Sequence, residues 1–276
     1  MPLLAPRKAI QPGFCPDIPK TFSSLEEARN SLDYNWNLCQ QRADDFEHID
    51  SFRQGIQSQM LQDAWEVQRE SYRATSRSWS NAFQSFFDSN VAMMDTRALQ
   101  GARVLKINAL LATVHLDVSV STYHSQTCWD ELMPKYEELL ELATAVVNAQ
   151  KAADQGHVWK PIFQVDHSII GPLFSVARRC RDPFLRRRAI ALLYSTPVQE
   201  GIWDSILTAR VAERMMQLEQ KGLGEVKCAA DVPDRARISD VEVSFDLLAR
   251  RGYIKFLRLR SLDSQKREPV IDVLEW

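Results

Sequence analysis

The chain has 276 residues, 45% hydrophobic and 25% charged, enough to bury a sizeable core as one large domain or two small ones. Its 34 basic residues nearly balance 36 acidic ones, and a net charge of -2 excludes a whole-chain drive toward nucleic acid or anionic membranes. No apolar run approaches the length of a membrane span, and the opening MPLLAPRKAIQPGF does not read as a secretory signal. The cysteines, Cys15, Cys39, Cys128, Cys180 and Cys228, are scattered and odd in number. The expectation is a reducing, intracellular compartment with free, mostly buried thiols.

Pro2, Pro6, Pro12, Pro16 and Pro19 mark residues 1–21 as an arm or linker. Helix signals follow. Ser24 and Glu27 have capping-box spacing. Leu25, Ala28, Leu32, Trp36, Cys39, Ala43 and Phe46 recur at steps of three and four, one stripe of a long amphipathic helix. Ile49, Phe52, Ile56, Met60, Ala64 and Val67 form a second stripe, and Trp79, Phe83 and Phe86 a third. Leu99 to Leu116 is apolar on more than one face and reads as a central buried helix. Thr127 and Asp130 are positioned to cap the next, with Met133, Tyr136, Leu140, Ala143 and Val147 facing inward.

Two short helices are predicted around Ile169 to Leu193. Asp182-Pro183 starts the second, since Asp caps free N–H groups and Pro fits the first helical position. Leu185, Ala189 and Leu192 give it an apolar face, and Thr196-Pro197 stops it. Gln199-Glu200-Gly201-Ile202-Trp203 reads as the opening of a further helix reaching Glu219, with Gly222-Leu223-Gly224 as its stop. Beyond Gly224 the period changes. Val241, Val243 and Phe245 alternate with polar residues, as do Ile254 and Phe256 around Lys255, so a hairpin joined near Arg250-Arg251-Gly252 is predicted, with a third strand near Val270 to Leu274. The fold class expected is mainly α, a stack of antiparallel helices over residues 22–276, with a small C-terminal β hairpin from about residue 237.

FSSLEEARNSLDYNW, WSNAF, GPLFSVARRCRDPFLRRRAIALLYSTPVQEGIWDS and RISDVEVSFD, in that order, resemble the C-terminal region of fungal transcription regulators whose DNA-binding module is a six-cysteine binuclear zinc cluster. The resemblance implies a helical domain that regulates activity or mediates contacts, a nuclear location, and for many members control of secondary-metabolite gene clusters. The zinc cluster itself needs cysteine groups beginning CxxC, and no CxxC occurs here, so no zinc or DNA-reading residue carries over. A fragment and a stand-alone relative without the reader both fit that departure.

Chemistry-bearing residues are sparse. His115 and Asp117, with His124, have the make-up of a two-histidine, one-carboxylate iron site, but residues two apart on a helix point away from each other. Asp166-His167 has no accompanying nucleophile motif. Cys180 stands between Arg179 and Arg181, the only thiol with a reason to favour thiolate; a buried structural thiol is the simpler reading. Trp36, Trp65, Trp79, Trp129 and Trp203 sit at apolar helix positions and read as core. The least bland feature is Arg178, Arg179, Arg181, Arg186, Arg187 and Arg188 around two helix ends, a candidate anion or partner surface. The alternative is salt bridging within the domain to Glu131, Glu137, Glu138, Glu200 or Asp204.

The sequence therefore points to a regulatory or interaction domain working by protein contact or ligand response, with no cofactor and no catalytic residue. Its expected partners are a protein, a small-molecule effector or a second copy, with no membrane and no sequence-specific DNA binding by this chain alone. The rival reading is a helical enzyme or ligand-binding protein recruited to a biosynthetic pathway.

Overall fold

A computed structural model describes residues 17–52, 56–118, 125–153, 162–164, 169–195, 197–200, 203–246, 248–249, 251–259 and 267–275. Two compact units emerge, residues 1–121 and 122–276. The fold is mainly α, with a small antiparallel sheet at the C-terminus.

The first unit holds three long helices, α1 (Leu25–Phe52), α2 (Ile56–Asn90) and α3 (Thr96–Asp117), each packed on the other two. Ser24 caps α1 by accepting from the Glu27 N–H at 3.1 Å. The Glu27 carboxylate reaches back to Ser23, whose N–H and hydroxyl donate to it at 2.7 and 2.6 Å, so the box closes one residue earlier than its spacing suggests. Asp95 caps α3 through the Ala98 N–H at 2.7 Å. The far end of α3 leaves carbonyls without helical partners. Arg73 meets them, donating to the Leu116 and Asp117 carbonyls at 2.9 Å each, and Arg69 adds a bond to the Leu116 carbonyl at 3.3 Å. The core gathers around Trp79, which stacks on Phe83 at 4.8 Å and meets Phe22 at 5.7 Å, with Ala28, Ala82 and Ala102 letting the helices approach.

Two expectations change here. The stripe from Ile49 to Val67 spans two helices, because α1 ends at Phe52 and α2 starts at Ile56. The stripe beginning at Trp79 is the continuation of that same α2, which runs unbroken to Asn90.

The second unit opens with a 3-10 turn, Gln126–Leu132, capped by Ser125, and passes into α4 (Met133–Ala153). Tyr136, Leu140, Ala143 and Val147 face inward as predicted, while Met133 at the helix start is half-buried. A three-stranded sheet follows from β1 (Ile162–Gln164), β2 (Val198–Glu200) and β3 (Trp203–Asp204), with β1 and β2 parallel. Between its strands lie α5 (Ile170–Arg179) and α6 (Pro183–Ser195), and α7 (Ser205–Gln220) comes directly after it. The helix expected to open at Gln199 thus opens at Ser205. Asp204 supplies its cap, accepting from the Leu207 N–H at 2.8 Å, while the preceding residues pair as strands. Gly222, at φ +79°, takes the left-handed position that ends α7.

The buried face of α6 is also rotated from expectation. Arg186, Ala189, Ile190 and Leu193 are buried, while Leu185 and Leu192 are half-buried. The chain ends in a meander of β4 (Ser239–Asp246), β5 (Arg251–Leu259) and β6 (Arg267–Glu275), in that spatial order and antiparallel. Ile254 and Phe256 point into the core, and Asp246 fixes the first turn by accepting from the Leu248 and Ala249 N–H groups.

Candidate functional site

The arginine cluster is built by the short link between α5 and α6. Asp182 caps α6 through the Phe184 and Leu185 N–H groups at 3.0 and 2.9 Å, which turns the chain sharply and stacks the two helix ends together. Arg179, Arg181 and Arg186 point inward and are at most 1% exposed. Arg187 is exposed, and Arg178 and Arg188 are half-buried. Arg188 donates to Thr144 Oγ1 at 3.0 Å and to the Leu140 carbonyl at 3.3 Å.

The inward partner is Glu219, at the end of α7 and fully buried. One of its oxygens accepts from Arg181 at 2.8 Å and from the Ile238 N–H at 2.7 Å; the other takes the Arg186 guanidinium. Arg181 also donates to the Ile238 carbonyl at 3.0 Å and to the Arg179 carbonyl at 2.7 Å, and Arg186 to the Ala177 carbonyl at 2.8 Å. One carboxylate thereby ties the end of α5, the start of α6, the end of α7 and the lead into β4. Burial pushes the Glu219 carboxyl up, but the Arg181 and Arg186 charges and the bonds from Arg181 and Ile238 outweigh it and hold the group at about 2. Burial lowers the Arg186 pKa against the opposing pull of Glu219.

A further buried arginine lies on the same framework. Arg237 grips Asp130 with both terminal nitrogens at 2.7 Å and donates to the Val232, Gln126 and Ala229 carbonyls. Gln126 receives Arg179 at 2.8 Å, and the Arg179 guanidinium lies 4.4 Å from the centre of the Trp129 ring. Sequence reasoning named none of Glu219, Gln126 or Arg237 as members of this network. The signal for Glu219 was present: it follows Ala212 and Met215 at helical spacing on the buried side of α7. Chemically the arrangement is a clasp in which buried arginines, two carboxylates and backbone carbonyls hold helix ends and a strand together.

The other candidates are dispersed. His115 and Asp117 lie in the last turn of α3; the imidazole sits 2.9 Å from the Leu111 carbonyl and 5.8 Å from the Trp36 ring, while Asp117 is 3.5 Å from Arg73. His124, Asp166 and His167 lie outside the described residues, as does the side chain of Trp65. Trp129 is buried, and Trp203 meets Phe174 at 5.7 Å. A recess of about 350 Å³, counting its open mouth, is lined in the first unit by Trp36, Cys39, Tyr72, Trp79, Ala112 and Leu116. Its Asn35, Thr75 and Ser76 groups are bonded to Ser31, Ser71 and Thr113, so its free lining is mostly apolar.

Burial pushes the Cys39 and Cys180 thiols up to about 12, so the arginines beside Cys180 do not make it a thiolate. Cys228 is exposed. Among the cysteines of the described residues, a thiol reagent followed by peptide mapping should label Cys228 first in the native protein, and label Cys39 and Cys180 only on unfolding. Labelling of Cys180 at the rate of Cys228 would contradict this placement.

Among the described residues no helix is long and apolar enough to cross a membrane, and no three His, Cys, Asp or Glu side chains are grouped to hold a metal ion. No family model matches the chain, and no solved structure matches it. Over 100 residues the chain is 32% identical to the aspercryptin biosynthesis cluster-specific transcription regulator atnN of Emericella nidulans. That stretch covers 35% of this chain and 16% of the relative's length. Part of the chain is therefore regulator-like in sequence.

Proposed function

We propose that this chain is a regulatory and interaction region of a fungal transcription regulator, acting in the nucleus on a secondary-metabolite gene cluster through protein contact or ligand response. The partial identity to a cluster-specific regulator carries the reading. The helical fold supports it, since stacked helices offer broad faces to partners. The resembling segments correspond to the family's region C-terminal to the DNA reader and not to the reader itself. The half-buried Arg178 and Arg188 with the exposed Arg187 are the portion of the arginine cluster that a partner would meet. The aromatic recess beside Trp36 and Trp79 supports the ligand-response form.

On this reading the chain alone does not read DNA sequence, because specific readout needs side chains placed at base edges in a groove. A net charge of -2 also gives little general phosphate attraction. Titration against a cluster-promoter duplex and a scrambled one at two salt concentrations tests this. Equal binding that vanishes as salt rises is the expected result; a clear preference for one duplex at physiological salt would overturn it.

A further inference from the structure

The outer face of α6 is unlike a solvated helix surface. A solvated face mixes charges of both signs and keeps bulky apolar groups away from water. From Pro183 to Ser195 α6 has no acidic residue. Phe184 is 77% exposed, the most exposed aromatic side chain among the described residues. At about 100° per residue, Phe184 and Ala191 share the middle of that face. Arg187 falls to one side of them. Arg188 falls to the other, with the half-buried Leu185 and Leu192 beyond it.

These two arginines lack a counter-charge. Arg188 is held by Thr144 Oγ1 and the Leu140 carbonyl, both neutral, which fixes its guanidinium without cancelling it. Arg187 is exposed. Among the described residues neither forms an ion pair. The inward arginines differ in this respect, since Glu219 answers Arg181 and Arg186, and Asp130 answers Arg237.

We propose, resting on the reading that the chain works by protein contact, that this face docks an acidic segment of a protein partner. A bulky apolar residue of that segment packs beside Phe184 over the small Ala191, and carboxylates on either side of it meet Arg187 and Arg188. A carboxylate gains most from a guanidinium that is positioned and not already paired. The apolar anchor makes the contact selective for a segment carrying both features. Nucleic acid fits less well. Two cations on a chain of net charge -2 neutralise about two phosphates, too few to hold a strand firmly at physiological salt. The apolar strip of Phe184, Leu185 and Leu192 also gives phosphates no partner.

Random dodecapeptides displayed on phage and panned on the immobilised full chain test this. Selected peptides should be enriched, relative to the unselected library, in Asp and Glu flanking a Phe, Leu or Trp. The commonest of them, synthesised with a fluorescein label, should bind the full chain in an anisotropy titration. Phe184→Ala and Arg187→Glu should each weaken it roughly tenfold, and Arg187→Lys much less. Both residues are exposed, so circular dichroism and melting point should not change. Lys20→Glu, an exposed cation ahead of α1, should bind as the wild type does. Selection without acidic enrichment overturns the proposal, and so does a selected peptide that binds Arg187→Glu as tightly as the wild type. An oligonucleotide that binds at physiological salt and is lost with Arg187→Glu, where no acidic peptide is selected, would make this a nucleic-acid surface and overturn it too. A failed selection leaves the regulatory reading standing if the chain, fused to an unrelated DNA-binding module, still changes reporter output. Absence of that change with peptide binding intact counts against the regulatory reading and not against this face.

Discussion

Glu219→Gln should cost about 3–5 kcal/mol of stability, because it leaves two buried guanidiniums without their counter-charge. The substitution preserves shape, so no cavity confuses the result. Arg181 and Arg186 stay buried, both having fully buried side chains that donate to Glu219 in the wild type. For a unit of this size the melting point should fall by roughly 10 °C. Replacing Glu219, Arg181 and Arg186 together by apolar residues of similar volume should recover much of the loss, since it removes the uncompensated charge as well as the pair. An exposed pair such as Arg251 and Glu275, with side chains 52 and 65% exposed, should respond far less to the same neutralisation.

The effect carries a pH signature. The Glu219 carboxyl in the folded protein is held at about 2, below its ordinary 4.5. A carboxyl depressed by folding contributes fully above its ordinary value and loses that contribution as pH falls toward its folded value. The difference in stability between wild type and Glu219→Gln should therefore be constant near neutrality and shrink from about pH 4.5 toward pH 2. A difference that stays constant across that window would show that the carboxylate charge is not what is lost.

Trp79→Ala should destabilise the first unit by about 3–5 kcal/mol, a large part of a typical domain's total. The indole is 3% exposed, stacks on Phe83 with ring planes 10° apart, and donates to the Ala28 carbonyl at 3.0 Å. Removing it opens a void among α1, α2 and α3 and takes the partner from a buried carbonyl. Trp79→Phe keeps much of the ring contact and loses the hydrogen bond, so about 1–2 kcal/mol is expected. Chemical denaturation followed by helical circular dichroism separates the two variants. Equal losses would mean that the hydrogen bond, and not the volume, dominates at this site.

The contrast between Trp79 and Glu219 shows how much was legible in the sequence. Helices with apolar stripes and capping residues, such as those at Ser24 and around Tyr136 and Leu140, could be read directly, as could the alternating strands near Val243 and Ile254. The reversal between α1 and α2 was not, because spacing of three and four continues across it from Phe52 to Ile56 and carries no mark of direction. The strands β2 and β3 span three and two residues, too short for a period of two to register. β2 is decided by pairing with β1, far away in sequence, and β3 by pairing back on β2.

The buried face of α6 was misread for a related reason. A pattern of apolar against polar residues assigns every arginine to the surface, and Arg186 is the innermost side chain of its turn. Only a partner can justify that burial, and Glu219 lies 33 residues away. The arginines stand out in the sequence as a cluster; which of them face the core depends on Glu219, a long way along the chain.

The most direct measurement of regulatory function fuses the full chain to an unrelated DNA-binding module and reads a reporter gene bearing that module's site, in a fungal nucleus. Reporter transcript should differ from the level given by the module alone, and the difference should fall away with Glu219→Gln at a temperature where that variant unfolds. Transcript equal to that of the module alone, from a fusion shown to be folded and present in the nucleus, would contradict the assignment as a regulatory region.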